Sequence, residues 1–333
     1  MMMSEYHLER VVVVGLGSIA LRHRRNLKIL FPNVFIVAVP SSGTIDNQIV
    51  DFADQIILNL SEVLMKDVDI AIIASPATFH AAHAAVFLHS GVPTLIEKPV
   101  TSHSQDVETL MKISSDTNTP VAVGYCVRYM PAAVRVKKLL EQNTLGCVYN
   151  ASVNVGQYLP DWRPSKEYQN SVSAKKSLGG GVLLELSHEI DYIQWLLGPM
   201  EVEYAQLRST SELDLEVEEL ADVILVSETG IVCSIHMDFL QKKALRTCSL
   251  IGEKGRLDWD LLSNTVQLHT RERSICLFAE VNWDSNQMYL SLLKDFLNLV
   301  VGQQNSIIDL EQAARTVGLI ESIKSNAIQG VRQ

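Results

Sequence analysis

The sequence predicts an α/β fold: an N-terminal doubly wound domain followed by a C-terminal α+β domain built on an open, largely antiparallel sheet. Three observations predict it. Short apolar runs without alternation recur up to Gly124 with helical patterns between them, a glycine-rich turn follows the first run, and beyond Tyr125 strand-like stretches succeed one another directly. Runs without alternation are strands buried on both faces, as in a parallel sheet covered by helices, whereas alternating consecutive strands form antiparallel hairpins. The 333 residues, 47% of them hydrophobic, suffice for two cores, and the expected division is 1–125 and 126–333.

In order, residues 11–14, 34–39, 70–73, 94–96 and 121–123 read as strands of the first sheet, with helices expected over 18–30, 60–66, 77–89 and 104–117. Gly91-Val92-Pro93 stops the third helix, because glycine takes the turn after a helix and proline cannot continue one. This rhythm builds right-handed strand–helix–strand units. In the second part, strands are expected over 147–157, 201–208, 221–227, 231–238, 246–251 and 264–269, with Glu228-Thr229-Gly230 as a hairpin turn. Ile231, Cys233, Ile235 and Met237 alternate with Val232, Ser234, His236 and Asp238, so one face of that sheet is core and the other polar. Helices are expected over 182–197, 286–302 and 309–328. The pattern leaves open whether the last two cover the second sheet or return to the first domain.

Composition excludes several functions. Lys and Arg number 28 against 38 Asp and Glu, a net charge of −10 without a basic patch beyond Arg22, Arg24 and Arg25, so no nucleic acid is expected as partner. The first ten residues are polar and no 18-residue apolar run follows, so no membrane partner is expected and the chain reads as cytoplasmic. The five cysteines are odd in number and never paired as C-x-x-C, which suggests neither a disulfide framework nor a cysteine zinc site.

Gly15-Leu16-Gly17-Ser18-Ile19-Ala20 follows the first strand and opens a helix. Gly15 permits the turn, Gly17 lets the backbone approach a pyrophosphate, and Ala20 packs helix on strand, so a dinucleotide is expected on the helix N-terminus. NAD specificity calls for a carboxylate at the end of the second strand, where this chain has Pro40-Ser41-Ser42-Gly43-Thr44. Ser41, Ser42 and Thr44, with Arg24 or Arg25, would suit a 2′-phosphate. NADP is therefore favoured over NAD, the alternative being a plain loop that admits either.

Two further clusters carry candidate chemistry. Glu97-Lys98-Pro99 follows the buried strand 94–96, at the carboxyl edge where open α/β sheets bind ligands; a surface salt bridge is the competing reading. Gly179-Gly180-Gly181 leads into a helix on which Glu185, His188 and Asp191, spaced by three, share a face as a proton relay, the competing reading being solvated carboxylates and a structural histidine. His80 and His83 lack a third ligand, so no metal is expected.

With Ser75-Pro76-Ala77-Thr78-x-His80 added, these motifs in this order resemble the glucose-fructose oxidoreductase, inositol dehydrogenase and rhizopine-catabolism family (Gfo/Idh/MocA) over nearly the whole chain. The resemblance implies a Rossmann domain for NAD(P) and a C-terminal domain that supplies the substrate site and an oligomer interface. It makes Lys98 and His188 catalytic. The family's Asp four residues before the histidine is met here by Glu185, three before. The implied cofactor contacts are Gly15, Leu16, Gly17, Ser18, Ile19, Ser41, Ser42, Ser75, Pro76, Thr78, His80, Glu97, Lys98, Arg128, Trp162 and Arg163. The implied substrate contacts are Lys98, Tyr158, Trp162, Arg163, His188 and Asp191.

The expected activity is hydride transfer between a nicotinamide cofactor and a secondary alcohol or ketone of a sugar or nucleotide-linked sugar, in a homodimer or homotetramer. The polar, aromatic and basic segment 150–178, with Lys166, Lys175 and Lys176, suits an anionic sugar, and its wording resembles members associated with bacterial surface-sugar synthesis. Rival readings are a glycosidase that uses bound NAD and a non-catalytic NADP-binding protein.

Overall fold

The computed structural model describes residues 6–45, 49–164 and 167–329. The chain divides into two compact units, one of residues up to Tyr125 together with Tyr289–Val317, the other of Cys126–Met288 together with residues from Gly318 onward.

The first unit runs β1 (Arg10–Val14), α1 (Ser18–Leu30), β2 (Phe35–Val39), β3 (Gln55–Ile56), β4 (Ile70–Ile73), α2 (Ala77–His89), β5 (Thr94–Ile96), α3 (Ser104–Thr117) and β6 (Val121–Val123). The six strands are parallel in the order β3-β2-β1-β4-β5-β6. Val12, Val14, Val37, Ala71, Ile73 and Ile96 are fully buried within its core, which is why these runs show no alternation. The order reverses between β1 and β4, and in such sheets the crevice beyond the carboxyl ends at that point takes the ligand. The expected helix over 60–66 is instead two 3₁₀ turns, Leu60–Glu62 and Met65–Asp67, because Val63 (φ −76°, ψ 126°) and Leu64 (φ −78°, ψ 90°) are extended between them.

The second unit begins with α4 (Pro131–Glu141) and β7 (Val148–Gly156), continues with α5 (Val182–Glu185) and α6 (Ser187–Leu197), and then runs β8 (Met200–Arg208), β9 (Leu220–Ser227), β10 (Val232–Asp238), β11 (Leu245–Gly252), β12 (Gly255–Asp260), β13 (Thr265–His269) and β14 (Ser274–Ala279). These strands and β15 (Ile328–Gln329) form one sheet, ordered β14-β13-β12-β11-β7-β10-β9-β8-β15. Two neighbours, β10 with β7 and β15 with β8, are parallel, and the rest are antiparallel. Cys233, Ile235 and Met237 of β10 are buried, while Ser234 and His236 on the other face are half-buried.

Two helices complete the chain, α7 (Asn286–Val300) and α8 (Leu310–Asn326). The stretch Tyr289–Val317 belongs to the first unit, so a division into 1–125 and 126–333 is interrupted. The physical reason is local: Val123 of β6 donates its N–H to the Ile308 carbonyl at 2.9 Å, and Ile308, Leu310, Ala313 and Val317 are buried in the first core. Among the described residues no helix is long and apolar enough to cross a membrane.

Candidate active site

In the first unit the turn after β1 is built by glycine geometry. Gly15 has φ +112°, and a Cβ there would lie 2.3 Å from the Ala74 carbonyl oxygen. Arg24 on α1 is 2% exposed and braces the turn, donating from Nη1 to the Gly15 carbonyl (3.2 Å) and from Nε to that of Asp51 (2.9 Å). Burial holds its pKa below the ordinary arginine value, opposed by the Asp51 charge. Arg24 therefore serves the turn, not the 2′-phosphate expected of it. Gly17 caps α1 without a side-chain hydrogen bond, and nothing stands within 4 Å of where its Cβ would be. Leu16, Gly17, Ser18 and Ile19 all reach the surface. An open helix N-terminus of this kind fits the pyrophosphate of a dinucleotide.

Beyond β2, Ser41 is half-buried and Ser42 exposed, the Ser42 hydroxyl sharing a 3.1 Å hydrogen bond with that of Thr44. Beyond β4, Pro76 precedes α2, on which Thr78 stands, and the Ser75 hydroxyl shares a 3.0 Å hydrogen bond with His83 Nδ1.

Glu97-Lys98-Pro99 leaves β5 anchored on both sides. Glu97 is 5% exposed and accepts from His23 Nε2 at 2.6 Å and from the Lys98 N–H at 3.2 Å. Gly124 makes room for this carboxyl group, since a Cβ there would sit 3.1 Å from it. On the far side His80, 1% exposed, places Nδ1 2.9 Å from the Pro99 carbonyl and Nε2 2.7 Å from that of Ser75. Burial lowers its pKa against the pull of these carbonyls and of Glu97. Both side chains, expected at the cofactor, are thus buried anchors within their own unit. Lys98 itself is half-buried.

In the second unit the triple glycine runs against the turn at 172–173. A Cβ on Gly180 would meet the Ser173 and Val172 carbonyl oxygens at 2.6 Å, and Gly181, at φ +105°, donates its N–H to the Ser173 carbonyl at 3.0 Å. The helix expected over 182–197 is broken at Leu186 (φ −101°, ψ 29°), so Glu185 ends α5 while His188 stands in the first turn of α6. The three-residue spacing of Glu185, His188 and Asp191 consequently defines no single helix face. Asp191, 1% exposed, accepts from Arg128 Nε (2.9 Å) and Nη2 (2.7 Å) on both carboxylate oxygens. Burial pushes its pKa up, against the Arg128 charge. That pair braces α6 from within the second unit. Glu189, wholly buried, is met at 2.6 Å by Arg246 Nε.

Of the expected substrate contacts, Tyr158 has the Lys242 ammonium 3.2 Å from its ring centroid. Trp162 donates from Nε1 to the Gln157 carbonyl (3.2 Å) and meets the Phe239 ring edge-on at 5.4 Å. Arg163 is exposed, and Lys166 lies outside the described residues. Among the described residues no group of three or more His, Cys, Asp or Glu is placed to hold a metal ion.

The sequence profile described as "Oxidoreductase family, NAD-binding Rossmann fold" matches residues 9–125, and that of the GFO/IDH/MocA C-terminal domain matches residues 133–258. The chain belongs to the Gfo/Idh/MocA family and is an NAD(P)-binding oxidoreductase of that family. It is 24% identical over 272 residues to inositol 2-dehydrogenase 1 of Saccharopolyspora erythraea, an overlap of 77% of this chain and 75% of that protein. Its fold is similar to that of the UDP-N-acetylglucosamine 3-dehydrogenase GnnA from Acidithiobacillus ferrooxidans (TM-score 0.77, 17% identity, covering 97% of this chain and 98% of that one). It is similar also to the WlbA dehydrogenase from Bordetella pertussis, solved with NADH and UDP-GlcNAcA (TM-score 0.79, 20% identity, 96% of each chain).

Sequence reasoning missed the partners of these carboxylates, His23 and Arg246. His23 lies three residues after Ala20 and four before Leu27, on the buried face of α1, and a polar residue on an apolar face was the available signal. Arg246 is the second residue of β11 and carries no comparable mark.

Proposed function

We propose that the protein transfers a hydride between a nicotinamide cofactor and a secondary alcohol or ketone carbon of a sugar or nucleotide-linked sugar. The observation that carries this is the anchoring of Glu97-Lys98-Pro99 at the carboxyl edge of the same parallel sheet that bears the open glycine turn. A lysine held there beside a dinucleotide cradle suits an oxygen on which negative charge develops. The cofactor, when bound, supplies the hydride exchange. His188 takes or returns the hydroxyl proton, a task suited to an imidazole near neutral pH. Lys98 hydrogen-bonds the same oxygen and steadies it as an alkoxide. Sugar and inositol dehydrogenases among the similar proteins support the choice of substrate class.

The serine loop after β2 carries no carboxylate between residues 40 and 45, which supports NADP over NAD. A nicotinamide-fluorescence screen over sugars, nucleotide sugars and 2-keto acid sugars tests the activity, and absence of cofactor turnover across the panel would overturn it. Calorimetric titration should find NADP bound at least as tightly as NAD, with Ser42→Asp reversing the order by setting charge against the 2′-phosphate. A strong NAD preference in the unmodified protein would overturn the cofactor reading.

A further inference from the structure

The triple glycine brings the backbone up against a carboxylate of its own chain. Gly181 sits at φ +105°, and a Cβ there would lie 2.4 Å from Glu218 Oε1. The Leu183 N–H donates to that oxygen at 3.4 Å and the Val182 N–H to the Glu218 carbonyl at 3.0 Å, so the first two amides of α5 both end on Glu218. A helix of one turn makes few hydrogen bonds of its own, and what its ends meet decides where it lies. Lys324 of α8 sets its ammonium 3.5 Å from the same Oε1.

Glu218 is itself held on a fixed loop, residues 209–219 between β8 and β9. Its neighbour Glu219 is wholly buried and accepts from the Thr210 hydroxyl, the Thr210 N–H (3.0 Å) and the Leu215 N–H (3.1 Å), which closes the loop on one carboxylate. The Phe239 N–H donates to the Glu219 carbonyl at 3.0 Å, tying the end of the loop to the residue after β10. Two residues before Glu218, Glu216 accepts the Lys176 N–H at 2.7 Å. The two carboxylates thus hold the glycine run from both ends, at Lys176 and at Leu183.

From there hydrogen bonds lead to the proposed proton-transfer group. The Val182 carbonyl accepts the Leu186 N–H at 2.9 Å, and the Leu186 carbonyl accepts the Glu189 N–H at 3.2 Å. His188 lies between those last two residues. Its backbone is therefore set from one side by Arg246, through Glu189, and from the other by Glu218, through Val182 and Leu186.

We propose that Glu218 is a positioning residue that orients the His188 imidazole through α5, an inference that rests on the proton-transfer role given to His188 above. Length and an acceptor oxygen, rather than charge, carry the effect. The bonds to α5 need an oxygen in place, whereas the Lys324 ammonium is partly exposed, where ion pairs contribute little. Displacing a reacting group by about 1 Å costs up to about a hundredfold in rate.

The test uses the full chain with NADP and follows the His188 ring by NMR, its signals assigned by their loss in His188→Ala. Glu218→Ala should shift those signals, and Glu218→Gln, which keeps the length and one acceptor oxygen, should return them to place. This readout needs no substrate. On a substrate found by the nicotinamide-fluorescence screen, Glu218→Ala should lower kcat about tenfold with KM held within about twofold. In a His188→Ala background the same substitution should change kcat by less than about twofold, since no imidazole is left to orient. If Glu218→Ala does not fold, Glu218→Asp, which draws the carboxylate back by one methylene, carries the same comparisons. Unmoved His188 signals, signals displaced as far by Glu218→Gln as by Glu218→Ala, or an equal fractional loss of kcat with and without His188 would overturn the proposal. Failure of the proton-transfer reading is distinguishable, because His188→Ala then keeps near-full turnover while the ring signals of the unmodified histidine still follow Glu218.

Discussion

The two proposed reactive groups each stand beside a buried carboxylate, and those carboxylates are met by different partners. Lys98 follows Glu97, whose partner is the imidazole of His23; His188 precedes Glu189, whose partner is the guanidinium of Arg246. An imidazole offers its carboxylate one ring nitrogen, whereas a guanidinium carries a fixed charge and a fork of donors. Among the described residues His23 Nδ1 meets no further acceptor, so a single bond holds that ring to its carboxylate. The second unit doubles its fixed charge with Arg128 on Asp191. The first unit thus anchors its lysine through a histidine–carboxylate hydrogen bond, and the second anchors its histidine through arginine–carboxylate pairs.

The largest effect should come from the reactive groups themselves. His188→Ala is expected to lower turnover by roughly 10²- to 10⁴-fold with NADP affinity nearly unchanged, because proton transfer is lost while the cradle on α1 remains. Lys98→Met should behave alike, and the double variant should be little worse than either single one, since both groups act on one transition state. Near-full turnover in His188→Ala would shift the proton role to Lys98 or Tyr158.

Stability separates the two anchors more directly. Glu189→Gln sets the half-buried Arg246 guanidinium opposite a neutral amide and removes a charge-assisted hydrogen bond, at a cost of about 2–3 kcal/mol. Glu97→Gln keeps a neutral acceptor for the single His23 hydrogen bond and should cost about 1–2 kcal/mol. Urea unfolding of both variants at pH 7 measures this, and equal losses would erase the distinction between the anchors.

Much of this organisation is legible in the residues, and the parts that are not share a cause. The strands of the first sheet announce themselves because burial on both faces removes alternation, and the glycine turn because Gly15 occupies a left-handed conformation. The strand β12 was missed although Leu257 and Trp259 alternate with polar neighbours. The start of α4 carried a proline at its first position and passed unread. Motif spacing singled out Lys98 and His188 but gave no sign that Glu97, His80 and Asp191 are buried and held by partners within their own units. Spacing along a chain records which residues recur near a site; which way a carboxylate turns is decided by a cation tens of residues away, as Arg246 decides for Glu189.

A smaller effect concerns Glu185. The break at Leu186 removes it from the turn that carries His188, so Glu185→Gln should lower turnover less than tenfold if its role is confined to α5. A hundredfold loss would place Glu185 in the proton path and restore the relay that the broken helix argues against.

The smallest effect sharpens the comparison with a third, half-exposed pair on β10. His236 lies between Asp222, 2.6 Å from Nδ1, and Asp238, 3.1 Å from Nε2, with Arg208 on the other side of Asp222 at 2.6 Å. Its pKa is pushed up to about 9, chiefly by the Asp238 carboxylate and further by Asp222, against the effect of burial. A raised value means that the folded state holds the proton more tightly than the unfolded chain, whose histidines titrate near ~6.5. The resulting stability is fully present below that pH and is lost as pH rises through about 9. With a third of the side chain in water, solvent screening reduces the contribution to about 1 kcal/mol. Melting curves between pH 6 and 10 should therefore fall more steeply for the unmodified protein than for His236→Asn, and the Glu189→Gln variant should keep the unmodified slope, because Arg246 does not titrate in that range. Parallel curves for all three proteins would show that the β10 network contributes nothing to folding, leaving the Arg128–Asp191 and Arg246–Glu189 pairs as the charges that fix the second unit.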